Sequence, residues 1–452
     1  MTRLILTVLL SLWNSAASAT GDIRPDDFPG CEASRDIDTL CWQQALDAAT
    51  RKTGHPYFGA VSGVGGRTYT IRETLRVTNA HGGVIDGRGA VLLWAGRDGN
   101  APMFLFTNTQ QIKITNLYIR SSAEAPLATA FEFTKAKPAK VSPRFNVLDH
   151  IIVDGTDFGG LQYGVRFSQR YGIDEDNDQA TIINSTFSNV SKAAISIEHT
   201  QSHDHRLIAV NGTGAPGNTN AAFVHVKSGS FTSIGGFHGN FRLANYYLET
   251  APTTITIMNE NSEASSAFIK TPDGVATFPL PVQVIGGRFA VDQLQKSGRV
   301  IEFNRFGPLT IQGLSITGTN RTPAALPTTI HVHPTAVAGV NGYAELTLSG
   351  ILFAGALPDR GTNLTDPVDV SPSVRVTATA NSCSLPSGSV TQCIGLAAGS
   401  RPGVRFMELA GLQVPGQQFY CSDCSSDPLT ARCTAGGTGR FARRLASAWL
   451  CN

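Results

Sequence analysis

Three polar runs in this 452-residue chain hold the side chains whose types and spacing could do chemistry. They are Asp174-Glu175-Asp176-Asn177-Asp178, Gln201-Ser202-His203-Asp204-His205-Arg206 and Glu260-Asn261-Ser262-Glu263. Imidazole titrates near neutral pH, so His203 or His205 could take a proton from carbon, with Arg206 or a bound cation neutralising a neighbouring carboxylate. That is the inventory for eliminative cleavage of a uronic-acid polymer. Hydrolysis of a glycosidic bond needs two carboxylates instead, and Asp176 or Asp178 with Glu260 or Glu263 would supply them. Asp174, Asp176 and Asp178 stand at alternate positions and offer hard oxygen ligands for Ca²⁺. The spacing resembles the start of an EF-hand loop, but Gln179 replaces the Gly and no Glu follows at the last ligand place. An acidic loop without metal fits the run better.

Residues so far apart in number need a scaffold that brings them to one flank. A repeated octet provides it: apolar-x-apolar-x-(Asn or Gly)-x-x-(Ile or Phe). Its copies are Ile112/Ile114/Asn116/Ile119, Ala180/Ile182/Asn184/Phe187, Val282/Val284/Gly286/Phe289, Leu309/Ile311/Gly313/Ile316 and Leu346/Leu348/Gly350/Phe353. Alternation with period two means a strand with one buried face, and Asn or Gly at the break tolerates a left-handed bend. A chain that repeats this without helices between buries its inner faces by coiling and stacking, as a parallel β-solenoid. Asp178 and His205 are 27 residues apart, the same offset as Gly286 to Gly313, so equal coils would stack them on one side. Gly236-Phe237-His238-Gly239-Asn240 follows one coil further on. Such a polar file is what an extended sugar chain would lie along. His199, His225, His331 and His333 sit in or beside alternating strands and read as surface or packing residues.

Composition agrees with a turn-rich, all-β, exported chain: 15% charged residues, 46 glycines and a net charge of +2. Near-neutrality gives no support for nucleic acid or anionic membrane as partner. Met1 to Ala19 reads as a secretory signal, with Arg3, the apolar run Leu4 to Trp13 and the small-residue site Ala17-Ser18-Ala19. No later run is long and apolar enough to span a membrane. The eight cysteines then read as disulfides. Cys31 and Cys41 are near neighbours, as are Cys383 and Cys393, while Cys421, Cys424, Cys433 and Cys451 allow three pairings. Zinc at Cys421-x-x-Cys424 is the sharper alternative, but the remaining spacings fit no common finger.

Asp36 to Thr53 reads as a helix on Ile37, Leu40, Cys41, Ala45, Leu46 and Ala48, covering the otherwise open first coil. It carries an Asp-Thr-x-x-x-Gln-x-Ala segment (Asp38, Thr39, Gln43, Ala45). Gly65-Gly66-Arg67-Thr68-Tyr69-Thr70-Ile71 and Gly83-Val84-Ile85-Asp86-Gly87-Arg88-Gly89 follow. This entry resembles that of the pectate-lyase-like right-handed parallel β-helices, a superfamily of polysaccharide lyases, polygalacturonase-type hydrolases and phage tailspikes. The resemblance implies a right-handed coil and an extracellular polysaccharide as partner. It departs from the usual form in that Ile37 separates Asp36 from Asp38.

The polygalacturonase pattern is missing, with no Asn-Thr-Asp and only a partial Gly-His-Gly at Phe237-His238-Gly239. No nucleophile elbow, phosphate loop, HExxH or dinucleotide fingerprint stands in a fitting context. The division is then a signal over 1–19, an N-terminal segment with a capping helix over 20–60, the β-helix over 61–355, and C-terminal strands with a cysteine-rich cap over 356–452. A small carbohydrate-binding unit is the alternative for that last segment. The leading expectation is a secreted polysaccharide-cleaving enzyme, lyase ahead of hydrolase because histidines and Arg206 cluster where a clear acid pair does not. The competing class is a non-catalytic adhesin or glycan-binding solenoid, and oligomers are compatible with either.

Overall fold

The computed structural model describes residues 22–354 apart from 33–36, 52–56, 138–141, 157–159, 172–176, 275–278, 292–298, 319–328 and 335–343. Beyond 354 it describes separate strands between 368 and 451. The expected signal lies outside the described residues. Each coil contributes strands to three parallel ladders. Sheet I runs from Ala60–Ser62 through Val84, Lys113, Val147, Thr181 and His205 to Val374–Thr379. Sheet II follows across one corner, from Thr68–Ile71 to Ser382–Ser384, and sheet III from Leu75–Thr78 to Val368–Val370. The chain is a right-handed parallel β-helix.

The octet is the turn from sheet I to sheet II. Its corner residues take left-handed φ, at 53° for Asn116, 49° for Asn184, and 66°, 66° and 63° for Gly286, Gly313 and Gly350. Two further rungs put non-glycine residues there, His150 at 54° and Ala209 at 51°. The flanking apolar positions stack in register, Val284 on Ile311 on Leu348. Burial of those columns supplies the driving force, at about 25 cal/mol per Å² of apolar surface.

Helix α1 spans Asp38–Arg51. Its buried face is Asp38, Cys41, Trp42, Ala45, Leu46 and Ala49, whereas Leu40 is 54% exposed, so the expected face was off by a fraction of a turn. Cys31 is bonded to Cys41 and Cys433 to Cys451. Cys424 is also in a disulfide. Antiparallel strands Gln418–Cys421, Arg440–Arg444 and Trp449–Cys451 make up the cysteine-rich end.

Candidate functional site

The residues singled out in the sequence do not converge. Asp174 and Asp176 lie outside the described residues. Asp178 sits on the corner ladder before sheet I, bridged to Arg144, with its carboxylate accepting from the His203 N–H (3.1 Å) and facing Arg144 Nε (3.5 Å). Those partners make it a ladder residue. His205 is a correction: it is 1% exposed and points into the lumen, stacked on Phe167 with ring centroids 4.1 Å apart. Arg206, next along the strand, points outward from sheet I, away from His205. The coil here is 25 residues, since Thr181 pairs with Arg206, so the expected 27-residue stacking of Asp178 on His205 does not occur.

Glu260 is a second correction. The octet continues through Ile255, Ile257 and Asn259 (φ 52°), and Glu260 then turns inward, 1% exposed. Its carboxylate accepts from Ser233 Oγ (2.6 Å) and pairs with His238 Nε2 (2.8 Å). Tyr246, whose phenol is pushed well up by burial and by the Glu260 charge, closes this cluster inside the solenoid. Glu263 stays exposed at a strand end, on the other side of the backbone. A groove acid pair with Glu260 is therefore sterically out of reach.

The outward face of sheet III holds the convergent groups instead. Glu132 lies between the inward Phe131 and Phe133, and alternation turns its carboxylate outward. It pairs in register with Arg166, and Arg166 with Ser196. Although it faces outward, Glu132 is 1% exposed, because Arg170 clamps it through Nε (2.8 Å) and Nη2 (2.7 Å). Glu198 is 5% exposed and accepts both Arg166 Nε and Nη2 at 3.0 Å, Lys227 Nζ at 3.1 Å and Ser196 Oγ at 3.1 Å. Burial pushes the Glu198 carboxyl up, but the hydrogen bonds and charge of Arg166, with Lys227, outweigh it and hold it below the usual range. The Tyr163 ring lies 5.3 Å from the Arg166 guanidinium and 5.5 Å from Lys192 Nζ. Burial raises its phenol, with Arg166 opposing and Glu198 adding.

Glu132, Tyr163, Arg166, Arg170 and Lys192, with Asn100, Ala128 and Gln162, line a cavity of about 340 Å³, and Glu198 borders it through its bond to Arg166. Another depression, about 410 Å³ on sheet II, is lined by Arg88, Gly89, Asn116, Leu117, Tyr118, His150 and Ile152 and offers no carboxylate. The sheet III site left little trace in sequence. Its signal is one charged residue per strand at an outward position, as in Phe131-Glu132-Phe133 and Val165-Arg166-Phe167, and only the register shows that these meet.

No protein-family model matches the chain, and no curated protein matches it. Among solved structures, the tailspike of E. coli bacteriophage HK620, as a double mutant in complex with a pentasaccharide, superposes with a TM-score of 0.54 at 11% identity. The match covers 80% of this chain and 66% of that chain, just under two thirds of the tailspike's length. Endo-xylogalacturonan hydrolase from Aspergillus tubingensis gives 0.40 at 12% identity over 84% of this chain and all of that one. The A-module of the Azotobacter vinelandii mannuronan C-5 epimerase AlgE6 gives 0.37 at 14% identity, over 80% of this chain and 99% of that one. The tailspike likeness bears on the fold alone.

Proposed function

We propose that the protein binds an anionic polysaccharide along the outer face of sheet III and cleaves it by β-elimination at the cavity lined by Glu132, Tyr163 and Arg166, which Glu198 borders through Arg166. One observation carries this reading: two nearly buried carboxylates on a solvent-facing sheet, each clamping a guanidinium in a fixed pose. The clamps pre-organise Arg166 and Arg170, and with Lys192 and Lys227 the cations outnumber the two carboxylates, which suits a uronate carboxylate. Arg166 and Lys192 neutralise that carboxylate and acidify the neighbouring C5 proton. Glu198, kept ionised, takes the proton. As the C4–O bond breaks, Tyr163, kept protonated, gives a proton to the leaving oxygen, and a C4=C5 double bond remains. The sugar-binding tailspike on the same fold is compatible support by analogy only. Disulfides at Cys31–Cys41 and Cys433–Cys451 fit an oxidising, extracellular or periplasmic setting.

Hydrolysis is the second reading, favoured by the carboxylate pair itself. Glu132 and Glu198 stand on strands two rungs apart, roughly 10 Å along the stack and wider than a covalent glycosyl intermediate allows, so hydrolysis here would go by inversion. Incubation with polygalacturonate, alginate, hyaluronan and xyloglucan separates the two. Elimination yields ultraviolet absorbance from unsaturated ends, whereas hydrolysis yields reducing ends without it. Tyr163→Phe should lower kcat by about a hundredfold or more with little change in KM under elimination. Glu132→Gln should do so under hydrolysis. Binding of xyloglucan alone, with no polyuronate retained in affinity electrophoresis, would overturn the proposal.

A further inference from the structure

The depression of about 410 Å³ on sheet II has no part in the chemistry of sheet III, and two columns of outward side chains build it. Along the corner between sheets I and II, Arg88, Asn116 and His150 follow one another on three successive rungs, all with left-handed φ of 52°, 53° and 54°. Beside them on sheet II, Tyr118 stands in register with Ile152. At about 4.8 Å per rung the trough runs roughly 10 Å along the stack. One wall is polar and the other apolar, with Ile152 47% exposed on the apolar side. The Arg120 guanidinium, 5.8 Å from the Tyr118 centroid, lies beyond the lining.

The polar wall offers acceptors rather than charge. Asn116 Nδ2 donates to Asp86 Oδ1 at 3.1 Å, which fixes the amide and leaves Oδ1 as its other end. His150 meets Asp149 through Nδ1 at 2.6 Å, so the neutral ring carries its proton there and Nε2 is an acceptor. Among the described residues nothing engages Asn116 Oδ1 or His150 Nε2. The surrounding charges are matched among themselves. Arg88 is bound to Asp22 and lies 4.0 Å from Asp86, and Lys113 Nζ lies 3.2 Å from Asp149. An anion brings only acceptors and would meet acceptors. A cation would find no carboxylate in the lining, and a wholly apolar ligand would leave the polar wall unsatisfied. An uncharged ring with hydroxyl donors along its edge and an apolar face answers both walls.

We propose that this trough is a second carbohydrate site, which takes neutral sugar residues. The apolar face of the sugar rests on Tyr118 and Ile152, and its hydroxyls donate to Asn116 Oδ1 and His150 Nε2. The site goes beyond the sheet III reading and does not rest on it. It lets the chain hold an uncharged glycan on one face whether or not a polyuronate occupies the other.

The test is isothermal titration of the full chain with cellohexaose, xylohexaose, mannohexaose and galactohexaose. At least one should bind with a dissociation constant of about 1 mM or tighter. Tyr118→Ala should weaken it by about tenfold or more. His150→Gly, which the left-handed corner accepts without strain, should weaken it by about fivefold. Arg166→Gln, which disables the sheet III cavity, should leave it within about twofold, and hexagalacturonate should not displace it. Polygalacturonate retention in affinity electrophoresis should be the same in Tyr118→Ala as in the wild type. Circular dichroism checks the fold of Tyr118→Ala, and His150→Gly carries the test if that variant does not fold. No binding by any of the four, binding that survives both variants, or displacement by hexagalacturonate overturns the site and leaves the sheet III reading standing. Loss of polygalacturonate retention in a folded Tyr118→Ala would assign the trough to anions and overturn the neutral class. Neutral binding without any polyuronate binding upholds this site and overturns the sheet III reading instead.

Discussion

His205 has room for one protonation state. Its Nδ1 accepts from the Ala180 N–H at 3.3 Å and its Nε2 donates to Ser202 Oγ at 2.8 Å, whose own proton goes to the Asn177 carbonyl at 2.9 Å. A second ring proton has no acceptor, and burial, with the nearby His203 charge adding, pushes the imidazole down to about 3. The unfolded chain therefore takes up this proton first as the pH falls. The stability contributed by the neutral ring is complete above pH 6.5 and is lost as the pH falls toward 3. Each unit in that window removes about 1.4 kcal/mol. Urea unfolding at pH 7.5 and 4.5 should differ by about 3 kcal/mol more in the wild type than in His205→Phe, which keeps the stack on Phe167 without a titrating ring. Equal acid sensitivity in the two proteins would place the titration elsewhere. The sequence showed this histidine but not its direction. Asp204 takes a φ of 57°, so the alternation is reset between His203 and His205, and a local break of that kind is invisible to periodicity. Glu132 and Glu198 were hidden for the opposite reason. A lone outward charge on a strand reads as solvated, Glu198 moreover follows a register shift after Ile197, and only the folded coils bring each carboxylate to an arginine more than thirty residues away.

At the scale of the elements, the Asp-Thr-x-x-x-Gln segment of α1 has a direct physical role. The first strands of sheets II and III present an open edge of backbone groups, and the helix side chains satisfy them. Asp38 accepts from the Thr70 N–H (2.7 Å), Thr39 from the Arg72 N–H (2.8 Å), and Gln43 accepts from the Arg76 N–H (2.8 Å) while donating to its carbonyl (3.0 Å). Gln43 thus replaces a missing strand residue at both of its hydrogen bonds. Gln43→Leu, close in volume but unable to do either, should destabilise the chain by about 1–3 kcal/mol, with amide exchange accelerated at Arg76 first. An unchanged urea midpoint with unchanged exchange there would mean that water serves the edge as well as the side chain does. The capping role was legible in the sequence because a solenoid must close its end. The buried face was not, because it includes Asp38, a carboxyl that burial raises and that no hydrophobic pattern would place inside. The corners were read correctly since their requirement is local. Gly287 has a φ of 94°, and a Cβ there would meet the Glu260 carbonyl oxygen at 2.4 Å, so the chain has no substitute for glycine at that bend.

For the whole molecule, stacking makes stability nearly one-dimensional: each coil touches its neighbours and little else. Damage at the N-terminal end should then remain there. The Cys31–Cys41 disulfide ties the segment before α1 to the helix, and Arg67 links the same region by donating to the Cys31 carbonyl (3.0 Å) and to Asp38 (3.1 Å). Removing the crosslink with Cys31→Ser/Cys41→Ser loosens the cover over the first coil by roughly 2–3 kcal/mol for so short a loop. The rungs that carry Glu132, Arg166 and Glu198 belong to the third, fourth and fifth coils and keep their register. The double variant should therefore bind polyuronate at 25 °C with unchanged affinity while aggregating at a temperature several degrees lower, as uncovered strand edges pair between molecules. Light scattering on heating and affinity electrophoresis on the same sample read the two effects separately. Loss of binding in step with the aggregation temperature would show that the coils communicate along the stack, and the cavity could no longer be treated as independent of the cap.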